Sequence, residues 1–238
     1  MKSRITDYSL DTHKHLLAAW AASTAASQSK YFRFSVEGGT EILLLGATGN
    51  IIHKSIPEEF IHHINKVKEI KNQKEFDDWH QGTIQNMRTG KDLGKVLQAI
   101  NNKKKEKNST NLLQPINMTY GIAAKILNVY LKVFYLGDFD SNEKKFADFI
   151  HPPIDRLLLL ELVRREGNSF KFDREPFVNM SKADSMIPNW TLINEEEYKA
   201  IIKLILEYIN ANDLEGLWRI EYAWSCLLYT SPSPRDRG

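Results

Sequence analysis

The stretch that most constrains the fold runs from Thr119 to Leu136, TYGIAAKILNVYLKVFYL, and is apolar almost all the way round. At 3.6 residues per turn, Lys125, Asn128 and Lys132 fall at roughly 0°, 300° and 340°, which places them on one narrow stripe. A helix as apolar as this belongs in a hydrophobic core. The sequence therefore predicts a buried helix that carries an amine. The stripe has two interpretations, a solvent-exposed edge or a functional site.

Most other periodic segments also repeat at 3.6 residues rather than 2. Helices are predicted over 11–27, 56–70, 74–88, 91–100, 155–165 and 194–212. The first begins at Asp11 and has Leu16, Leu17 and Trp20 on its bulky face, and the last begins at the N-cap residue Asn194. Residues 35–45 fit a short helix or a strand, whereas 101–111, 137–153 and 166–190 are predicted to be loops. The sequence predicts a mostly α fold, with residues 1–225 as a single domain.

The only cysteine, Cys226, lies in the tail CLLYTSPSPRDRG. This tail resembles the translation of a sequencing adapter, so we expect native coding to end near Ser225 and residues 226–238 to be foreign; an ordinary disordered tail is the alternative. The rest of the chain then excludes disulfides, thiolate catalysis and Cys-zinc sites, which fits a reducing cytoplasm. No signal peptide is visible, and no apolar run reaches the length of about 18–20 residues that a membrane span needs.

Two motifs carry residues suited to chemistry. YGIAAK, at 120–125, has a glycine followed at once by a predicted helix, with a lysine four residues after the glycine. HPPID, at 151–155, ends in an aspartate immediately before a Leu-rich helix. The order resembles the helix–hairpin–helix DNA glycosylases, whose hairpin reads roughly G-[VI]-G-x-K and is followed by P-[VI]-D. The matching residues are Gly121, Ile122, Lys125, Pro153, Ile154 and Asp155.

The sequence departs from that family at two points. Ala123 stands where the second hairpin glycine is usual, and 30 residues separate Lys125 from Asp155, more than is common in the family. The long separation is similar to that of the archaeal 8-oxoguanine glycosylase branch and of bacterial glycosylases that attack hypermodified phage DNA.

The resemblance implies a two-lobed helical enzyme that flips a modified base out of the duplex and excises it. Lys125 would attack the sugar C1′ and form a Schiff base, from which β-elimination nicks the strand, and Asp155 would stabilise positive charge on the sugar. The alternative is that Asp155 serves only as a helix N-cap. No cofactor and no metal are expected, because the chain has no row of cysteines for the iron–sulfur cluster that some members of the family carry.

DNA contacts are predicted from basic, backbone and aromatic groups. Lys103, Lys104 and Lys105 would bind phosphates, as would the hairpin backbone at Tyr120, Gly121 and Ala123. Trp20 and Trp218 are candidates for the walls of the base pocket. His62, His63 and His80 are interpreted as surface groups, because adjacent histidines on a helix point to different faces.

The predicted partner is double-stranded DNA that contains a modified base, bound by a cytoplasmic monomer without membrane contact. The base is either an oxidised purine such as 8-oxoguanine, in base excision repair, or a hypermodified phage cytosine such as glucosyl-hydroxymethylcytosine, in anti-phage defence. The competing hypothesis is a non-catalytic helical DNA-binding or scaffold protein.

Overall fold

The computed structural model describes residues 14, 17–18, 21–22, 31–35, 41–45, 64–89, 105–106, 119–136, 147–167, 170–172, 175–182 and 185–223. Over these ranges the chain is mostly helical, which confirms the predicted class. The longer α-helices among these residues are α1 (Gln73–Thr89), α2 (Tyr120–Leu131), α3 (Arg156–Glu166) and α4 (Glu195–Ala211). Among the described residues, no helix is both long enough and apolar enough to cross a membrane.

An antiparallel hairpin adds β1 (Tyr31–Ser35) and β2 (Glu41–Leu45), with Tyr31 opposite Leu45 and Ser35 opposite Glu41. Of the two conformations that the sequence left open for 35–45, the strand is therefore the one adopted over Glu41–Leu45. Leucine and isoleucine at successive positions of EILLL suit a strand as well as a helix, and the Gly-Gly pair before it is unfavourable to a helix.

Helix α2 is the centre of the core. Its N-cap is Thr119, whose hydroxyl accepts the Ile122 N–H, and every residue except Val129 is buried. The helix packs against α1 and α4 and continues into a π-helical turn, Lys132–Leu136. The prediction of a buried helix is therefore confirmed.

Side-chain caps define where α3 and α4 begin. Asp155 accepts the Leu158 N–H at the start of α3, and Asn194 forms a capping box with Glu197 at the start of α4. Both caps satisfy backbone donors that have no partner within the helix. The predicted cap at Asn194 is confirmed, and a 3-10 helix, Leu217–Ala223, follows α4.

One prediction about the first half of the chain is wrong: Lys105 and Glu106 are helical rather than part of a loop. In the first predicted helix, Leu17 is 47% exposed, whereas Ala18 and Ala22 are fully buried. The predicted cap Asp11 and the segments 91–100 and 226–238 lie outside the described residues.

Candidate active site

The two motifs of the sequence meet at Lys125 and Asp155. Lys125 Nζ lies 3.2 Å from Asp155 Oδ2, and the two side chains are only 10% and 11% exposed. Lys125 projects from the second turn of α2, and Asp155 immediately precedes α3. The interpretation of the polar stripe as a solvent-exposed edge is therefore wrong, because the stripe faces the protein interior.

Asp155 uses its two carboxylate oxygens for different purposes. Oδ1 accepts the Leu158 N–H at 3.0 Å as the N-cap of α3, and Oδ2 faces Lys125. The cap therefore fixes the orientation of the carboxylate. The N-cap interpretation and the functional interpretation of Asp155 are compatible, because each uses its own oxygen.

The indole of Trp190 covers the amine. Lys125 Nζ lies 4.4 Å from the centroid of this ring, within the range of a cation–π interaction. The segment that carries Trp190 is bound to the start of α2: Gly121 N–H donates to Ile193 O at 3.1 Å, and the Thr119 hydroxyl donates to Thr191 O at 2.5 Å. The sequence analysis did not choose Trp190 from among the five tryptophans, because nothing in the local pattern links residue 190 to residue 125.

Gly121 has a packing role that the motif did not suggest. A Cβ at this position would lie 2.0 Å from the carbonyl oxygen of Trp190, a distance that no side chain can occupy. Glycine is therefore required so that the Trp190 segment can approach α2 closely enough to cover Lys125.

The structure gives no support to the predicted phosphate contacts of Tyr120, Gly121 and Ala123. All three residues are buried, and the amides of Gly121 and Ala123 already donate to Ile193 O and Thr119 O within the protein. An amide that is bonded in the interior is not available to a phosphate. The residues that match the hairpin motif form the first turn of α2 instead.

A second, partly buried ion pair extends the stripe. Lys132 Nζ bonds Glu221 Oε2, and the Glu221 side chain is 6% exposed. Burial raises the pKa of Glu221, Lys132 opposes that rise, and the negative charge of Asp155 adds to it. Glu221 Oε1 is buried and has no hydrogen-bond partner among the described residues. The site therefore includes a buried acceptor that no described residue satisfies.

The middle residue of the stripe, Asn128, is fully buried and bonds His80, whose Nε2 lies 2.7 Å from Asn128 Oδ1. The interpretation of His80 as a surface group is wrong, since it is 1% exposed. Burial is the main cause that lowers its pKa to about 3, and the neighbouring His151 contributes. The helical position of His80 was predicted, but the partner that draws it inward lies 48 residues away.

Other predicted site residues are not gathered here. Trp218 donates its indole N–H to Asp148 at 3.3 Å and lies beneath Arg219, whereas the ring over Lys125 is Trp190. Lys105 is exposed. The remaining candidates lie outside the described residues: Trp20, His62, His63, Lys103 and Lys104.

Within the part of the chain that the structure describes, no three His, Cys, Asp or Glu side chains are grouped so that they could hold a metal ion. Compared with known proteins, the chain matches no family model, no curated protein and no solved structure. The case for a function therefore rests on the residues themselves.

Proposed function

We propose that the protein is a DNA glycosylase that excises a modified base through a lysine Schiff base, with AP-lyase activity. The observation that carries the proposal is the pair formed by Lys125 and Asp155. An amine and a carboxylate lie 3.2 Å apart, nearly buried, with an aromatic ring over the amine. This combination provides a nucleophile, a proton acceptor and a negative charge within one small volume.

Lys125 needs an acceptor for its proton, because an ammonium has no lone pair with which to attack a carbon. Asp155 Oδ2 is the hydrogen-bond partner of Lys125 Nζ and takes the proton at the moment of attack, so that a neutral amine bonds to C1′ of the flipped nucleotide. Oδ1 stays bonded to the Leu158 N–H throughout, so the carboxylate does not reorient.

Base cleavage comes first, while Asp155 is still a carboxylate whose charge stabilises the oxocarbenium character of the sugar. The bond between C1′ and the base nitrogen breaks, and its electron pair leaves with the base, which takes a proton from solvent. Lys125 Nζ then passes a proton to Asp155 Oδ2 and forms the new bond to C1′. The sugar ring opens as a second Nζ proton moves to the ring oxygen, which converts the adduct into an imine. Loss of a C2′ proton then expels the 3′ phosphate and nicks the strand.

Two further groups are suited to hold the nucleotide. The exposed part of the Trp190 ring offers a flat face beside the nucleophile, on which a flipped base or sugar can stack. Glu221 Oε1 offers a buried acceptor to an N–H group of the base. A base that presents a donor at that edge would relieve the cost of the unpartnered oxygen.

The proposed substrate is double-stranded DNA with one modified base, and the proposed architecture is two helical lobes around the site. An oxidised purine and a glucosylated cytosine are the two candidates for the base. Lys103, Lys104 and Lys105 supply phosphate contacts in this proposal, and the exposure of Lys105 is compatible with that role.

The test is borohydride trapping on duplexes that contain 8-oxoguanine, glucosyl-hydroxymethylcytosine or an abasic site. Reduction of the imine attaches the protein covalently to DNA. We expect Lys125→Gln to abolish trapping, because glutamine has no nucleophilic amine, while Lys199→Gln should trap like the unchanged protein. Lys199 is a matched control because it is an exposed lysine, paired with Glu195 on α4. Binding without trapping or base release on every duplex would favour the non-catalytic DNA-binding alternative.

A further inference from the structure

A buried chain of polar side chains lies directly behind the proposed catalytic pair. It links α1, α2, α4 and the turn before α3, and four of its five members are at most 3% exposed. Its members are Asp77, His80, Asn128, His151 and Tyr198. None of these five is assigned a role in the mechanism above, yet Asn128 lies on the same stripe of α2 as Lys125.

The amide of Asn128 is fully used, and its orientation is fixed. Nδ2 lies 2.9 Å from Pro152 O and 2.9 Å from Tyr198 Oη, and Oδ1 lies 2.7 Å from His80 Nε2. The two N–H groups must point at the two oxygens, so Oδ1 must accept from His80. His80 therefore carries a proton on Nε2, and the low pKa that burial gives it keeps the ring neutral.

The remaining bonds then have only one direction. Tyr198 Oη accepts from Asn128, and its own proton points at His151 Nδ1, 3.1 Å away. Burial raises the pKa of Tyr198, so the phenol keeps that proton. His151 consequently carries its proton on Nε2 and donates it to Asp77 Oδ1 at 3.0 Å. Every donor in the chain has an acceptor, and reversing any bond would leave a buried group unpaired.

The anchored carbonyl belongs to a stiff segment. His151, Pro152, Pro153, Ile154 and Asp155 are all buried, and each proline restricts its own φ to about −65°. With little freedom between Pro152 and Asp155, the position of the Pro152 carbonyl determines where the carboxylate lies. The hydrogen bond from Asn128 Nδ2 to Pro152 O thus links the polar chain to the pair formed by Lys125 and Asp155.

We propose that Asn128 is a positioning residue for Asp155, which it holds opposite Lys125 through the Pro152 carbonyl, with His80 and Tyr198 fixing the amide. The inference rests on the proposed function only for what Asp155 does; the placement of the turn is independent of it. Loss of the Asn128 bond lets the turn shift, and a shift of about 1 Å in a catalytic group can lower a rate about 10²-fold.

The main experiment compares Asn128→Leu with the unchanged protein in single-turnover base release with enzyme in excess. Under these conditions the rate constant does not depend on the fraction of folded protein. We expect a fall of about 10- to 100-fold with an unchanged Kd for DNA. Asn210→Leu, an exposed asparagine on α4, is the control and should keep the full rate constant. An unchanged rate constant in Asn128→Leu would overturn the proposal.

Hydrogen exchange gives a readout that does not need activity. The Leu158 amide reports the Asp155 cap, and we expect it to exchange about five- to tenfold faster in Asn128→Leu, as for the loss of about 1 kcal/mol. Ile205, a buried residue of α4, should change little. If the unchanged protein releases no base but Leu158 exchanges faster in Asn128→Leu, the proposed function is refuted and the positioning role is retained. Equal acceleration at Leu158 and Ile205 would refute the positioning role.

Asn128→Asp is the second variant, for the case in which the leucine variant does not fold. A neutral carboxyl can donate to Pro152 O and accept from His80, whereas a carboxylate can only accept. We expect the rate constant relative to the unchanged protein to rise as the pH falls, because protonation restores the donor. Neighbouring groups that titrate are His80, Tyr198 and His151. A pH-independent ratio would contradict the proposed bond to the carbonyl.

Discussion

Exchanging Asp155 for asparagine separates the chemical role of this residue from its structural one. Asparagine and aspartate are equally good N-caps, so the amide oxygen of the Asp155→Asn variant can still accept the Leu158 N–H at the start of α3. What the change removes is the negative charge that faces Lys125. If Asp155 is only a cap, the variant should release the base at nearly the unchanged rate. If Asp155 is catalytic, the rate of base release should fall.

The expected magnitude follows from the geometry. A sugar carbon attacked by Lys125 must lie near Asp155 Oδ2, which is 3.2 Å from Nζ. A unit positive charge about 4 Å from the carboxylate is stabilised by about 4 kcal/mol at an effective dielectric constant near 20. Loss of that term slows base release by about 10³-fold. The variant also lacks the acceptor for the ammonium proton, so we expect at least this loss.

Stability should fall less dramatically than activity. Removing one partner of a buried ion pair typically costs about 3–5 kcal/mol. The Lys125 side chain is 10% exposed and lies over the face of Trp190, so the unpaired amine still has some water and an aromatic contact. We therefore expect a loss of unfolding free energy near the lower end of this range. Glu161→Gln is the control on the same helix, because Glu161 pairs with two exposed arginines; we expect a change within about 0.5 kcal/mol and normal activity.

The assays are single-turnover base release, DNA binding and urea unfolding on the same preparations. Asp155→Asn should bind DNA as the unchanged protein does while its base release falls by about three orders of magnitude. A fully active Asp155→Asn variant would refute the assignment of the pair, whatever the stability data show.

Three other predictions concern the surroundings of the pair. Trp190→Ala should weaken productive binding about 5- to 150-fold, the equivalent of about 1–3 kcal/mol of stacking, and Trp190→Phe should lose less; equal trapping kinetics in all three proteins would refute the stacking role. Charge reversal of the lysines at 103–105 should weaken binding to every duplex alike and reduce the salt slope by at least about 2.7, and an unchanged slope would exclude them from the interface. His80 has a pKa of about 3 in the folded protein and 6.5 as its ordinary value, so the unfolded chain binds the extra proton between these values. The unfolding free energy should therefore fall by up to about 1.4 kcal/mol per pH unit as the pH drops through that window, and His80→Gln, which keeps an N–H donor for Asn128, should flatten the curve in urea titrations.

Local sequence signals were sufficient for the apolar helix α2 and for the start of α4. The start of α4 at Asn194 and the apolar helix around Lys125 follow from periodicity and capping alone, because both depend on residues within one or two turns. The motifs also predicted the meeting of Lys125 with Asp155, although the two residues are 30 positions apart. That prediction depended on a resemblance and not on periodicity.

Contacts between distant segments were not readable in the same way. Trp190 covers Lys125 because Gly121 lets a carbonyl approach its backbone, and nothing in the sequence near residue 190 marks that contact. His80 illustrates the same limit: a histidine on an amphipathic helix is compatible with either face, and its burial is decided by Asn128. The predicted DNA contact of the Gly121 amide finds no support for a related reason, since a motif does not show whether an amide already has an internal partner.

Stability alone does not explain why a core helix carries this polar stripe. Apolar residues of similar volume often replace a buried ion pair without loss, or with a gain of about 1–4 kcal/mol. Helix α2 and its π-helical continuation nevertheless carry Lys125 and Lys132, each paired with a buried acid from a distant part of the chain. One of those acids, Glu221, keeps a buried oxygen that has no hydrogen-bond partner among the described residues, an arrangement that lowers folding stability. Groups held at a cost to the fold along one polar stripe favour a functional role for the stripe, such as the one proposed above.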